Sequence, residues 1–387
     1  MSIRASLRQR ILPITTRLSA ILGVRRVFLP LLGTLFAMAV LAYAFVGMVD
    51  PFDLRAGGSP VRLADRPYAD KMVPKLVSIA ARDGTDLVVV GGSTSMAFTP
   101  AMLRAAFPEA RKPFNLSFVA IRADEVATVL GRLETSPSLK RLLLAIDFTL
   151  IRDIGWTGRS LPPRFYGPSA WYDPVPEFGV DILPHAFRVA ARGVLDGPDT
   201  RRRDPEWPDF LQAGIPLTRR AEALSKLTRA ARSARPWVTS APELPCERMS
   251  ALAETMAPAA RRMAARGVAI DFYFPPYSLS VYSDWTENFP EGHFFAGRGM
   301  VFANLFALRR CAVEAFDGIA NLRVHAFDTD RAITADLSRY LDSTHLLDLE
   351  AYRTILGRIA DGSAVLTRGT WPAFARAYRE AVAGFSP

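Results

Sequence analysis

The stretch Asp86-Leu-Val-Val-Val-Gly91-Gly92-Ser93-Thr94-Ser95 decides how the chain reads. Leu87 to Val90 is a short unbroken aliphatic run, the pattern of a strand buried on both faces; a half-exposed strand would alternate. It stops at two glycines, and a turn leads to a helix over Thr99–Phe107 with Pro100 positioned to start it. The unit recurs downstream. Phe114 to Ser117 reads as a second strand, Asp124 to Leu133 as a helix, and Arg141 to Ile146, ending at Asp147, as a third strand.

The alternation breaks off and then resumes at Cys246. A helix to about Arg266 leads into the strand Val268–Phe274, closed by Pro275-Pro276. A helix over about 292–315, the strand Asn321–Phe327, a loop from Tyr340 to His345 and a helix over Leu347–Ile359 follow. Five buried strands separated by helices predict an α/β three-layer sandwich, a five-stranded parallel sheet with helices on both faces. Ligands of such sheets bind beyond the carboxyl ends of the strands. The interruption, residues 150–245, is rich in Pro, Trp and Arg and reads as a mostly helical insertion or lid, with helical patches at 184–195 and 217–234. The arginines at 201–203 are read as a solvated loop, with an anion site as the alternative.

Toward the N-terminus, Val27 to Met48 is 22 residues without a charge, long enough for a membrane-spanning helix. The preceding 26 residues carry Arg4, Arg8, Arg10, Arg17, Arg25 and Arg26 and no acid, which predicts a cytoplasmic tail and an extracytoplasmic main domain. A cleaved signal peptide competes, with Ala42-Tyr43-Ala44 as its cleavage site, but the apolar run continues past it. Six units of the formal +10 belong to that tail, so the basic charge is largely a topology signal and does not point to nucleic acid. The expected division is a basic tail over 1–26, a transmembrane helix over 27–49 and a stalk over 50–85. An α/β domain over 86–365 and a C-terminal helix or tail over 366–387 complete it. Cys246 and Cys311 either pair in an oxidising compartment or stay two buried thiols.

Two segments on the expected ligand edge carry chemistry. In Gly91-Gly92-Ser93-Thr94-Ser95, Ser93 opens a turn whose N–H groups can face a developing oxyanion. A plain turn, or a backbone nest for a phosphate, explains the same residues. Asp342-Ser-Thr-His345 offers an imidazole base with a carboxylate three residues earlier to orient it; the plainer alternative is a helix-entry turn. His325 is expected to be a satisfied core or edge residue, His185 to start a helix in the insertion, and His293 to line a cleft. The run Phe272, Tyr273, Phe274, Tyr277, Tyr282, Trp285 is either sugar-stacking surface or core, mostly the latter. No metal-ligand cluster is legible. The glycine loop lacks the lysine of a nucleotide-binding P-loop, and no cofactor is expected.

In order and context, these segments resemble the blocks of the SGNH (GDSL-like) hydrolase superfamily, a flavodoxin-like fold. The turn at Ser93 is similar to its first block. Asn115-Leu-Ser-Phe-Val-Ala120 looks like the second block of its membrane-anchored branch. Ala145-Ile-Asp-Phe148 looks like the L-D-F that ends the third strand there, Phe274-Pro-Pro-Tyr277 like the proline-ended fourth strand, and Asp342-Ser-Thr-His345 with Tyr352–Ile359 like the last block. The resemblance spans about 86–360 with 150–245 outside it, and its style is that of proteins of alginate and other exopolysaccharide O-acetylation. It implies Ser93 as nucleophile, His345 as base and Asp342 as its orienter. Oxyanion and substrate contacts are implied near Gly92, Asn115 and the backbone at Ala120. The implied partners are a polysaccharide or acylated glycan and a membrane acyl-donor protein. Two departures stand out. Ala120 replaces the family's glycine, and Asp147 lies where a third-block asparagine is absent, so a catalytically silent glycan-binding or scaffolding domain is the second expectation.

Overall fold

The computed structural model describes residues 29–45, 84–117, 121–151, 187, 190, 217–233, 241–288, 293, 295–297 and 299–386. Five strands, β1 (Leu87–Val90), β2 (Pro113–Asn115), β3 (Arg141–Ala145), β4 (Ala269–Phe274) and β5 (Leu322–Ala326), form one parallel sheet in the order β2-β1-β3-β4-β5. The longer helices of the α/β domain among the described residues are α1 (Pro100–Ala106), α2 (Ala123–Leu133), α3 (Leu217–Ser233), α4 (Ala257–Ala265), α5 (Val281–Asn288), α6 (Met300–Phe316), α7 (Leu349–Asp361) and α8 (Trp371–Ala383), and a single turn of helix lies at Arg331–Thr334.

Side chains alternate across a strand. Val88, Val90, Leu142, Leu144, Ile270, Phe272 and Phe274 face one way into a core closed by α2, α4, α6 and α8. Leu87, Val89, Leu143, Ala145 and Tyr273 face the other way onto α1 and α7. Both faces are covered, which is why β1 and β3 read as unbroken apolar runs.

The strands fall where the sequence puts them, with shifts of a residue or two. β2 begins at Pro113 and ends at Asn115, whose amide side chain ties it to the segment after β1: Asn115 Nδ2 donates to the carbonyls of Ser95 and Phe98 at 2.9 Å each. The helix expected from 292 begins only at Met300, because Gly299 takes the left-handed conformation at its N-cap. The helix expected up to Arg266 runs without a break from Cys246 into α4, changing type on the way: a 3-10 turn over Cys246–Met249 and a π segment over Leu252–Met256 precede α4. The disulfide question is answered: Cys246 and Cys311 are bonded, joining the 3-10 turn to α6.

On the α7 side, β4 and β5 carry charge into the interior. Asp271 receives Arg141 at 2.5 Å and Arg323 at 2.7 Å, and His325 lies 3.1 Å away through Nε2 while its Nδ1 meets the Ser363 carbonyl at 3.1 Å. Burial disfavours the Asp271 carboxylate, but His325 and the two guanidinium groups outweigh that and hold its pKa below the usual range. On the opposite side, the fully buried Arg309 makes a two-point pair with Asp328 at 2.7 and 2.9 Å and lies over the Phe274 ring.

The chain divides into two compact units, residues 1–67 with 171–202, and residues 68–170 with 203–387. The stretch expected as one insertion is thus shared between them. Its segment α3 belongs to the larger unit, where it packs on α5. In the smaller unit a helix runs over 29–45 with Leu29, Leu31, Leu35, Phe36 and Leu41 exposed, and Phe45 lies 4.8 Å from Phe187. No helix among the described residues is long and apolar enough to cross a membrane. The apolar run of 27–48 overruns the described helix at both ends, so the expected span lies partly outside the described residues, as does the expected stalk of 50–85 up to residue 83; His185 and the arginines at 201–203 lie wholly outside them.

Candidate active site

The carboxyl end of β1 delivers the chain into a single 3-10 turn, Ser93–Ser95. Two glycines are needed there for space. A Cβ on Gly91 would collide with Ser95 and lie 2.9 Å from the Ala145 side chain, and one on Gly92 would come within 3.1 Å of Asp147 Oδ2. The turn is clamped from three directions. Tyr273 of β4 donates to Ser95 Oγ at 2.7 Å, Tyr352 of α7 donates to the Thr94 carbonyl at 3.3 Å, and Asn115 holds the Ser95 carbonyl. Asn115, implied by the resemblance as a substrate contact, spends both amide protons on this brace.

The Asp342–His345 loop follows β5 and meets that turn. Ser93 Oγ lies 2.7 Å from His345 Nε2, and His345 Nδ1 lies 2.8 Å from Asp342 Oδ2. With its Nδ1 proton shared with Asp342, the ring keeps a lone pair on Nε2 to accept from the Ser93 hydroxyl. The loop is built to hold this tautomer. Asp342 Oδ1 also accepts from the N–H groups of Thr344 and His345 at 2.9 and 2.8 Å, the Ser343 carbonyl accepts from Ser278 N at 3.0 Å, and Ser343 Oγ donates to the buried Asp284 at 2.9 Å.

Electrostatics follow from these contacts. Burial opposes the His345 cation, but the hydrogen bond and charge of Asp342, with a smaller part from Asp147, win and raise the imidazole above its ordinary pKa of 6.5. Burial likewise opposes the Asp342 carboxylate. The His345 bond and charge, with the two N–H groups, outweigh it and hold the carboxyl far below the usual range. The Ser93 N–H, at the head of its turn, has no intramolecular acceptor among the described residues, which leaves it available to an oxyanion.

Asp147 is the residue whose setting the sequence did not disclose. It leaves the end of β3 and is buried against Gly92. Oδ2 accepts from Thr94 Oγ1 at 2.9 Å, and Oδ1 accepts from Phe148 N at 2.7 Å and from the Tyr277 hydroxyl. Burial, and then Asp147 itself, push the Tyr277 phenol far up, so it remains a donor. The next residue, Phe148, is a half-buried ring 4.7 Å edge-on from the half-buried Trp285, and Trp285 lies 5.0 Å from the fully buried Phe295. His293, expected to line a cleft, stacks on Phe295 at 6.0 Å and accepts from its N–H through Nδ1. Ala120 lies outside the described residues.

Three potential metal-ligating side chains, Cys246, Cys311 and Glu314, converge elsewhere, but the disulfide leaves no thiolate to bind a metal. A cavity of about 460 Å³ lies between Pro242–Leu244, α6 and α8, lined in part by Phe306, Arg310 and Arg379 and by no residue of the Ser93 centre.

The fold and geometry together define an α/β domain with a serine, a histidine and an aspartate hydrogen-bonded in series at the carboxyl edge of a parallel sheet. No protein-family model matches the sequence, and no curated protein matches it either.

Proposed function

We propose that this chain is a serine acyltransferase or esterase of the SGNH-like type, tethered to a membrane by its N-terminal apolar segment and working on O-acyl groups of an envelope or exported polysaccharide. The observation that carries the chemistry is the 2.7 Å contact between Ser93 Oγ and His345 Nε2 with Asp342 behind the ring. Ser93 Oγ attacks the acyl carbonyl while its proton passes to His345 Nε2. Asp342 stabilises the imidazolium, and the Ser93 N–H faces the oxyanion. The proton then goes to the leaving group, and water or a sugar hydroxyl reverses the steps to release the acyl group from Ser93. The strand order 2-1-3-4-5 and the chain order Ser, Asp, His agree with the superfamily resemblance.

The extracytoplasmic assignment is supported by the six arginines ahead of the apolar run and by the Cys246–Cys311 disulfide, a bond that persists in oxidising compartments. An acylated glycan as substrate, and a membrane protein as acyl donor, follow from that location and from the resemblance.

One observation favours a second reading. Asp147, a carboxylate, lies against Gly92 beside the nucleophile, where an ionised group opposes an oxyanion. A silent glycan-binding domain would tolerate it. The full chain in detergent, exposed to a serine-directed fluorophosphonate and to p-nitrophenyl acetate, separates the two. Labelling and turnover that vanish in Ser93→Ala are the expected result. No labelling of the native chain, or labelling that survives Ser93→Ala, overturns the enzyme and leaves the glycan-binding domain.

A further inference from the structure

Asp147 is placed with care for a residue that should hinder the reaction. Three donors from three elements fix it: Thr94 from the nucleophile turn, Phe148 N–H at the end of β3, and Tyr277 just after β4. Three hydrogen bonds leave room at a carboxylate for one more, since its two oxygens offer about four acceptor positions. Among the described residues Oδ2 accepts from Thr94 alone, and it is the oxygen that lies on the side of Gly92, the residue before Ser93. A side chain at residue 92 would crowd this approach, and glycine is what stands there. Phe148 follows Asp147 in the chain and lies 4.7 Å from Trp285, and Tyr277, which donates to Asp147, lies 6.1 Å from Trp285, so two half-buried rings stand close to a strong acceptor. An acceptor beside aromatic faces is the combination that suits a ring carrying hydroxyl groups, its C–H faces against the rings and a hydroxyl bonded to the carboxylate.

We propose that Asp147, with Phe148 and Trp285, forms the subsite for the acyl acceptor: the carboxylate takes a hydrogen bond from one hydroxyl of a sugar ring and holds its neighbouring hydroxyl against acylated Ser93. This deepens the Ser93 reading and rests on it. In the transfer step the neighbouring hydroxyl oxygen attacks the acyl carbonyl and gives its proton to His345 Nε2. The tetrahedral intermediate then collapses, the bond to Ser93 Oγ breaks, and that oxygen takes the proton back from His345. One ester is formed and one is lost, with no redox partner. The carboxylate disfavours the oxyanion somewhat in both half-reactions, but it binds the sugar and not the water, so it biases the acyl-enzyme toward transfer.

The test is the partition of the acyl group from p-nitrophenyl acetate between water and methyl β-glucoside, with glycerol as an acyclic comparison, in the full chain in detergent. Nitrophenol release reports acylation, and the acetylated acceptor reports transfer. In the native chain the glucoside is expected to capture more acyl group than glycerol at equal concentration. Asp147→Asn should lower the transfer-to-hydrolysis ratio about tenfold, the effect of losing one charged hydrogen bond, while hydrolysis rises as the opposing charge goes. Trp285→Ala should remove the preference for the ring over glycerol. A ratio unchanged in Asp147→Asn, a parallel fall of transfer and hydrolysis, or a native chain that does not distinguish the glucoside from glycerol overturns the subsite while fluorophosphonate labelling of Ser93 still stands. Absent labelling removes the Ser93 reading, and the subsite with it.

Discussion

His345 and His325 each hold an aspartate within 3.1 Å, and the surroundings of the two pairs differ in every other respect. His345 sits in a loop at the carboxyl edge of the sheet, part-exposed, with Asp342 on Nδ1 and the Ser93 hydroxyl on Nε2. His325 sits inside β5, sealed from solvent, with Asp271 on Nε2 and a backbone carbonyl on Nδ1. Asp342 answers to one imidazole, two backbone N–H groups and the Thr344 hydroxyl, whereas Asp271 is shared with two arginines. A histidine bonded to a carboxylate is therefore not in itself a site. The partner on its second nitrogen, and the access of a substrate to that partner, separate a base from a structural strut.

The largest expected effect comes from removing the base. His345→Ala should cut turnover of p-nitrophenyl acetate by about 10⁴-fold or more, measured as kcat/KM, because the serine and its base act as a unit. Asp342→Asn follows, with a loss of about 10³-fold, the ring being left free to take the wrong tautomer. Its pH profile sharpens the point. The native imidazole is raised above 6.5, so kcat/KM should climb with pH through a midpoint above that value as the base loses its proton. Without the Asp342 charge the midpoint should move to lower pH. An unmoved midpoint would break the assignment of the orienting role.

The same change made in the sealed pair should act on stability. Asp271→Asn takes a shared carboxylate from Arg141 and Arg323, which keep Glu109 and the Ile359 carbonyl, and should lower the unfolding free energy by about 2 kcal/mol in denaturant titration. The Asp271 carboxyl is held below its ordinary 3.8, so its contribution is present above that pH and is lost as pH falls through the folded value. The acid limb of the native stability curve should accordingly flatten in Asp271→Asn. A stability loss from Asp342→Asn as large as that from Asp271→Asn would erase the distinction between the pairs.

Much of this architecture was legible because it is local. Leu87–Val90 and Arg141–Ala145 announce buried parallel strands by their composition, Thr99 caps α1 as its position suggests, and Ser93 and His345 stand on the edge where ligands of such sheets bind. The environment of Asp147 was not legible, since Thr94, Phe148 and Tyr277 reach it from three strand ends that only the fold brings together. Nor was the brace made by Asn115, whose residue type suits a ligand contact equally well. The Arg309–Asp328 pair was hidden for a related reason: an arginine inside the long apolar helix α6 looks like a surface residue until its buried partner is known.

The register of the sheet also sets an order of events. Arg141 of β3 pairs with Asp271 of β4, 130 residues further along, and Ser93 finds His345 only after 252 residues. Contacts so distant in sequence cost more loop-closure entropy than local ones, which favours their forming late. The half-sheet β2-β1-β3 can assemble as soon as it emerges, but it holds a serine without a base. On the proposed reading, acyl chemistry would then be among the last properties the chain acquires, and the unfolded polypeptide would carry none of it.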